Sequence, residues 1–281
     1  MNDIVIFGST GFIGNNIYNF LIGEGYNVKG FSSEACNLLD QSEIKKVFTL
    51  IKNDFNLIIC SAITSSVDDS IESMFTNIQM IDNVAKEVSI EQVKIIIFFS
   101  SVDIYGSIKY TSRIDENTPQ RSVGYYGLSK IVSERLLCHN IQKIPVTVLR
   151  LPGIYGYGDN SRSIVGKFIK DGITKKEITI TNDGNQLRDY VEIRDLCEIV
   201  SYFIAKPFNG PVNIVSGESI KIRKIADIVI NKLDDNVAIK KVKTDSNSSD
   251  FIFNNSLIRS IMPSFTFTDI KEGIDRYIKA L

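Results

Sequence analysis

Tyr126 and Lys130 stand four residues apart in the segment Tyr125-Tyr126-Gly127-Leu128-Ser129-Lys130, a spacing that places both side chains on one face of a helix. A phenol titrates near ~10 in water, and an ammonium beside it favours the phenolate, which brings the tyrosine toward the range useful for proton exchange. The most apolar run of the chain, residues 93–99, stops at Ser100-Ser101. A hydroxyl at such a strand end can hold a carbonyl or an alcohol against Tyr126. Ser101, Tyr126 and Lys130 together have the groups to polarise one oxygen and move a proton to or from it. Tyr-x-x-x-Lys recurs by chance, however, so its meaning depends on the elements that carry it.

The first of those elements lies at the start of the chain. Ile4, Val5, Ile6 and Phe7 run into Gly8-Ser9-Thr10-Gly11-Phe12-Ile13-Gly14, and residues 15–22 continue with an apolar helical stripe. This reads as a buried strand, a glycine turn and a helix. Gly8 allows the tight bend, Gly11 lets the main chain approach a phosphate, and Gly14 lets helix pack on strand. The helix N-terminus, with Thr10, Phe12 and Ile13 between the glycines, presents N–H groups to an anion. The spacing is G-x-x-G-x-x-G, so the match to the dinucleotide fingerprint G-x-G-x-x-G is partial. Seated there, a dinucleotide would exchange hydride while Tyr126 moves the proton. Lys130 can also bridge to its ribose hydroxyls.

Residues 26–31 read as the second strand and end at Ser32-Ser33-Glu34. An NAD-binding fold usually places a carboxylate here for the ribose. The serine hydroxyls at Ser32 and Ser33 suit a 2′-phosphate and favour NADP, while Glu34 opposes it and keeps NAD as the alternative. Asp40 is a candidate N-cap for a helix over 41–51. A short strand over 57–60 leads into Ser61-Ala62-Ile63-Thr64-Ser65, and the helix over 71–88 has Met74, Phe75, Ile78, Ile81 and Val84 as its inner face. With another strand over 146–149, the alternation of strand and helix implies a doubly wound parallel sheet. Ligands bind such sheets beyond the strands' carboxyl ends, where Gly8, Ser32, Ala62, Ser101 and Leu151 gather.

Beyond Leu151 the elements shorten: a helix near 163–170, a strand over 178–180, a turn at Asp183-Gly184-Asn185, a helix over 195–205 and a returning strand over 212–215. Residues 240–249 read as a flexible polar loop, and Thr268 as the N-cap of the closing helix. The expected architecture is α/β: a Rossmann domain over 1–155 plus about 191–216, and a smaller, discontinuous substrate-binding lid over about 156–190 plus 217–281.

Lys and Arg total 32 against 33 Asp and Glu, which leaves no global charge to draw the protein to nucleic acid or anionic lipid. There is no basic, apolar leader at the first residues and no run of about eighteen apolar residues, so a cytoplasmic protein without a membrane partner is expected. Cys36, Cys60, Cys138 and Cys197 lack CxxC spacing, and His139 is the only histidine. Neither a metal site nor a disulfide framework is expected.

Taken together, these residues resemble the extended short-chain dehydrogenase/reductase family in its nucleotide-sugar branch. The resemblance covers nearly the whole chain: GSTGFIG from Gly8, Ser61-Ala62, Asn77, SSVDIYG from Ser100, YGLSK from Tyr126, RLPGIYG from Arg150, DGNQLRDYV from Asp183 and KEGI from Lys271. It implies Ser101, Tyr126 and Lys130 as a catalytic triad, and Asn37 and Leu38 beside the adenine. It also implies Arg188 on a substrate diphosphate, for which a planar guanidinium suits the phosphate oxygens. Thr64, Asp103 and Gly153 complete the implied substrate contacts, and helices around 74–84 and 124–137 would form the four-helix contact of a homodimer.

The departures narrow the chemistry. Family members usually carry Asn at Gly153 and Pro at Tyr157, and a second arginine is common in the region 243–250. Sugar-nucleotide 4,6-dehydratases place an acid and a base after the triad's hydroxyl residue; here Val102 cannot transfer protons, although Asp103 can. The cysteine and histidine by which GDP-fucose-synthase-like enzymes epimerise are missing, since Asp103 stands at the first position and no histidine lies near 156–159. The stretch 34–40 resembles the group in which NADPH is a consumed reductant. The expectation is therefore an NAD(P)H-dependent reductase of a nucleotide-linked 4-keto-6-deoxy sugar, in polysaccharide biosynthesis. A 4-epimerase retaining NAD is the alternative, followed by a 4,6-dehydratase and by a non-catalytic dinucleotide-binding relative.

Overall fold

In the computed structural model, which describes residues 3–88, 91–106, 113–233, 236–244 and 250–281, the opening apolar run forms β1 (Asp3–Phe7), buried at every position. α1 (Phe12–Gly23), β2 (Val28–Phe31), α2 (Gln41–Leu50), β3 (Phe55–Ile59), α3 (Ile71–Glu87), β4 (Val93–Ser101), α4 (Tyr125–Asn140) and β5 (Val146–Leu151) follow in order. The chain continues through β6 (Gly153–Tyr155), α5 (Ile164–Lys175), β7 (Glu177–Thr181), β8 (Leu187–Arg188), β9 (Tyr190–Glu192), α6 (Ile193–Ala205) and β10 (Gly210–Asn213). It closes with β11 (Ile220–Lys221), α7 (Ile222–Leu233), β12 (Ala238–Val242), α8 (Ser256–Ile261) and α9 (Ile270–Lys279).

These elements form two compact units. The first takes Met1–Gly106, Pro119–Arg150 and Cys197–Val212, and holds a six-stranded sheet in the order β10-β5-β4-β3-β1-β2. β1 pairs in parallel with β2 and β3, and β3 with β4, giving the α/β, Rossmann-like sheet that the alternating pattern predicts. Its central strands β1, β3, β4 and β5 are buried along nearly their whole length rather than at alternate residues, as in a sheet covered on both faces. Phe48 of α2 lies between Phe7 and Phe55, at ring separations of 5.9 and 5.3 Å. Each such side chain contributes about 1.5–3 kcal/mol by leaving water. Asp40 caps α2 as expected, accepting the Ser42 N–H at 2.8 Å.

The second unit takes Ser107–Thr118, Leu151–Leu196 and Asn213–Leu281. Among the described residues it has three two-stranded sheets, β6 with β9, β7 with β12 and β8 with β11, and a core that includes Val165, Phe168, Ile178, Ile225 and Ile274.

Three local expectations are corrected. In α3 the inward stripe is Ser73, Asn77, Ile81 and Val84, while Phe75 is 61% exposed. Phe75 falls two residues from both Ser73 and Asn77, about 200° around the helix. Residues 240–242 are not loop but part of β12, paired in parallel with β7; residues 245–249 of that expected loop lie outside the described residues. Thr268 does not cap α9. Asp269 does, accepting the Lys271 N–H at 2.8 Å, because Thr268 spends its own N–H and hydroxyl on the buried Asp195 carboxylate at 2.7 Å each. No helix among the described residues is long and apolar enough to cross a membrane.

Candidate active site

Gly8 turns the chain with φ +82°, a conformation that an L side chain rarely adopts. A Cβ on it would also stand 2.8 Å from the Ser61 main-chain nitrogen, so Gly8 brings the first turn against the Ser61-Ala62 loop. Gly14 is required by packing: its Cβ would fall 2.2 Å from the Gly8 carbonyl oxygen. Gly11 differs from both, since the nearest atom to its missing Cβ lies 3.5 Å away. The protein leaves that space open. Gly11 is the N-cap of α1 and contributes no side-chain hydrogen bond, and the first turn holds no acidic residue. The N–H groups there, at Phe12, Ile13 and Gly14, have no intrahelical acceptor. An open space beside unpaired N–H groups at a helix N-terminus fits the diphosphate of a dinucleotide.

The loop after β2 is internally tied. Ser32 Oγ accepts the Ala35 N–H at 3.2 Å, and Ser33 and Glu34 are exposed. Asn37 donates its N–H to Glu43 at 2.6 Å and accepts from Leu39 at 3.0 Å. The Leu38 side chain is buried in the core beneath this loop, and its carbonyl accepts from Asn83 at 2.9 Å. At that position only main chain faces outward. After β3, Asn77 of α3 holds Ile63 by both its N–H and its carbonyl, at 2.8 and 2.9 Å, which fixes the segment carrying Ser61, Ala62 and Thr64. The Thr64 hydroxyl pairs with Ser66 at 3.0 Å.

Ser101 ends β4 and is buried; its Oγ accepts the Asp103 N–H at 3.1 Å. With a lone pair so used, the hydroxyl keeps its own proton for an external oxygen. Asp103 is exposed on the 3₁₀ turn Val102–Tyr105. α4 lies against this turn because residue 127 is glycine: a Cβ there would meet the Asp103 carbonyl at 2.8 Å. That approach brings Tyr126 under the influence of Asp103.

Lys130, 4% exposed, donates from Nζ to the Phe99 carbonyl at 2.7 Å and lies 5.5 Å from the centre of the Tyr126 ring. Burial pushes its pKa down to about 8, with Cys60 and Glu134 acting in the opposite sense. Burial also raises the Tyr126 phenol above its ordinary value, and the Asp103 carboxylate adds to the rise. The direction is opposite to the lowering expected from a neighbouring ammonium, because burial and the Asp103 carboxylate are the causes that act on this phenol.

Sequence reasoning missed the supports of this cluster. One turn beyond Lys130, the buried Glu134 takes Arg150 in two hydrogen bonds at 3.1 and 2.8 Å, the Ser100 hydroxyl at 2.5 Å and Gln120 at 3.0 Å. Arg150 continues to the Tyr105 hydroxyl at 2.9 Å. The network ties α4 to β4 and β5. Its only signal in the sequence is the continued four-residue spacing 126, 130, 134.

In the second unit, Arg188 is half-buried, stacked 4.8 Å over the Phe251 ring and donating to its neighbour's carbonyl at 2.8 Å. Gly153 has no side chain to offer because the Tyr190 ring occupies that place, 2.7 Å from a would-be Cβ. The Tyr190 hydroxyl is buried without a partner among the described residues. Asp189, pushed up to about 6 by burial, accepts from Ser216 and Gly217. No cluster among the described residues has the donor set of a metal site.

Residues 4–217 match the NAD dependent epimerase/dehydratase family. An uncharacterized UDP-glucose epimerase of Bacillus subtilis (strain 168) is 25% identical over 258 residues, covering 80% of each chain. Among solved structures, UDP-glucose 4-epimerase of Thermus thermophilus in complex with NAD superposes with a TM-score of 0.88 at 19% identity, covering 99% of this chain and 98% of that one. The dTDP-4-dehydrorhamnose reductase of Bacillus anthracis str. Ames in complex with NADP gives 0.84 at 20% identity, covering 100% and 99%.

Proposed function

The chain belongs to the NAD-dependent epimerase/dehydratase family, and on that footing we propose that it reduces a nucleotide-linked 4-keto-6-deoxy sugar, with Tyr126 as the proton donor. The first unit binds the dinucleotide and the second the sugar nucleotide. When bound, a reduced nicotinamide supplies the hydride. Ser101 donates its hydroxyl to the keto oxygen, and Tyr126 delivers a proton to that oxygen as the carbonyl carbon becomes an alcohol carbon. Lys130, with a pKa of about 8 and so an ammonium at neutrality, offsets the phenolate left behind. Arg188 is assigned to the substrate diphosphate, with Thr64, Asp103 and the Gly153 main chain as further contacts.

The observation that carries this reading is the pairing of Tyr126 with Lys130, whose buried Nζ lies 5.5 Å from the centre of the phenol ring: a phenol beside an ammonium can pass its proton to a keto oxygen. Reduction is preferred to 4-epimerisation on the stretch 34–40, which resembles the group that consumes NADPH. NADPH is the assigned reductant, on the Ser32 and Ser33 hydroxyls after β2. The four cysteines are free, which suits a cytoplasmic setting. The partner is a second copy: Ile71 and Phe75 of α3 and Tyr125 and Val132 of α4, with Val67 and Val123, are apolar yet exposed on two helices that pack side by side.

Mixing the protein with a nucleotide 4-keto-6-deoxy sugar and NADPH tests the reading, by loss of cofactor absorbance matched to alcohol formed. Tyr126→Phe should lower turnover at least about a thousandfold while cofactor affinity holds within twofold. Interconversion of two sugar nucleotides with no cofactor consumed would overturn the reductase, and undiminished turnover in Tyr126→Phe would overturn the proton donor.

A further inference from the structure

The N-cap of α4, Gly124, brings no side chain to the free N–H groups of the helix's first turn. The acceptor comes from 57 residues earlier in the chain, where Asp69 Oδ1 takes the main-chain N–H of Tyr126 at 2.7 Å. Its other oxygen lies over Gly124, 3.3 Å from where a Cβ would stand. A larger residue at 124 would press on the carboxylate. A negative group at a helix N-terminus is also favoured by the aligned peptide dipoles.

Asp69 is itself held. Asp68 accepts the N–H and the hydroxyl of Ser70 at 3.1 and 2.8 Å, and Ser70 caps α3 through the Ser73 N–H at 3.1 Å. Seven residues after Ile63, which Asn77 grips from α3, the loop therefore ends in a turn built on the cap of that same helix. The loop bearing Ser61, Ala62 and Thr64 is fixed to α3 at both ends, and Asp69 joins it to α4 at the peptide of Tyr126.

We infer that Asp69 is a positioning residue for Tyr126: through the Tyr126 N–H it sets where the phenol stands relative to Ser101 and links it to the loop after β3. It acts through that main-chain bond. The inference rests on Tyr126 being the proton donor.

The test uses Asp69→Ala and Asp69→Asn in the full chain, with Asp269→Ala as a matched loss of an aspartate cap at α9, remote from Tyr126 in sequence. Asp69→Ala should lower kcat about tenfold while KM for NADPH and for the sugar nucleotide stays within twofold. Asp69→Asn, whose amide oxygen still accepts, should recover most of the rate. Asp269→Ala should lower Tm and leave kcat unchanged. Hydrogen–deuterium exchange of the peptide spanning 125–130 reads the same bond without turnover: protection should fall in Asp69→Ala and persist in Asp69→Asn. Wild-type kcat and protection in Asp69→Ala would overturn the positioning role, as would an asparagine variant as slow as the alanine. If Tyr126→Phe keeps full turnover, the proton donor fails instead, and the exchange result still decides whether Asp69 holds this peptide.

Discussion

Lys130 is a cation placed where a cation is costly, and its stability signature has a definite sign. Its folded pKa of about 8 lies below the ordinary 10.5, so between those values the unfolded chain binds more protons than the folded one. Stability from this group therefore rises with pH through that window and is flat below it. At pH 7 the burial penalty is fully present, on the order of 2–4 kcal/mol. Lys130→Met should be more stable than the wild type at pH 7 in urea unfolding, and the gap should close by about pH 10. Glu134 behaves oppositely. Removing it leaves Arg150, 3% exposed, as a buried charge without its carboxylate, and Glu134→Ala should cost about 3–5 kcal/mol. Urea unfolding against Glu134→Gln, which keeps hydrogen-bonding capacity, separates the charge from the contacts.

The turn between β1 and α1 shows which element properties are readable in advance. Gly8 and Gly14 are demanded by local geometry, one by its positive φ and the other by helix–strand contact, and sequence spacing alone predicts both. Gly11 is not demanded by the protein, and this yields a contrast. Gly14→Ala drives a methyl into main chain and should cost about 1–3 kcal/mol or more along with dinucleotide binding. Gly11→Ala should leave Tm within about 2 °C and still weaken NADPH at least tenfold, because its Cβ takes up room meant for a ligand. Thermal melts with NADPH titrations distinguish the two. Other element details escape sequence reading for equally physical reasons. The periodicity of α3 identifies a helix but counts Phe75 as inward, because apolarity does not say which face is covered. Thr268 and Asp269 are both good caps, and only the position of Asp195 decides between them. Asp69 leaves no local trace, since its partner is another helix's peptide.

At the scale of the whole molecule, the parallel sheet was legible because its strands and helices alternate in the sequence, and the four-residue spacing of Tyr126 and Lys130 on α4 because a helix repeats on that period. The rise of the Tyr126 phenol was not, because burial depends on everything packed around it. The exposed apolar face of α3 and α4 carries its own prediction. The protein should run as a dimer in light scattering, and Phe75→Glu should shift it to monomer at micromolar concentration with its melting temperature lowered by less than about 5 °C. A dimer unaffected by this change would place the contact elsewhere.

The strand order carries a consequence for synthesis on the ribosome. β10 completes the first unit beside β5, yet Leu151–Leu196, which belong to the second unit, are translated between them. A nascent chain of 150 residues has every other strand of the sheet but leaves the flank of β5 unsatisfied, a row of unpaired peptide groups open to wrong pairing. The first unit therefore cannot finish folding before Leu151–Leu196 of the second have emerged, and a gene cut after residue 150 should yield aggregate rather than a working half.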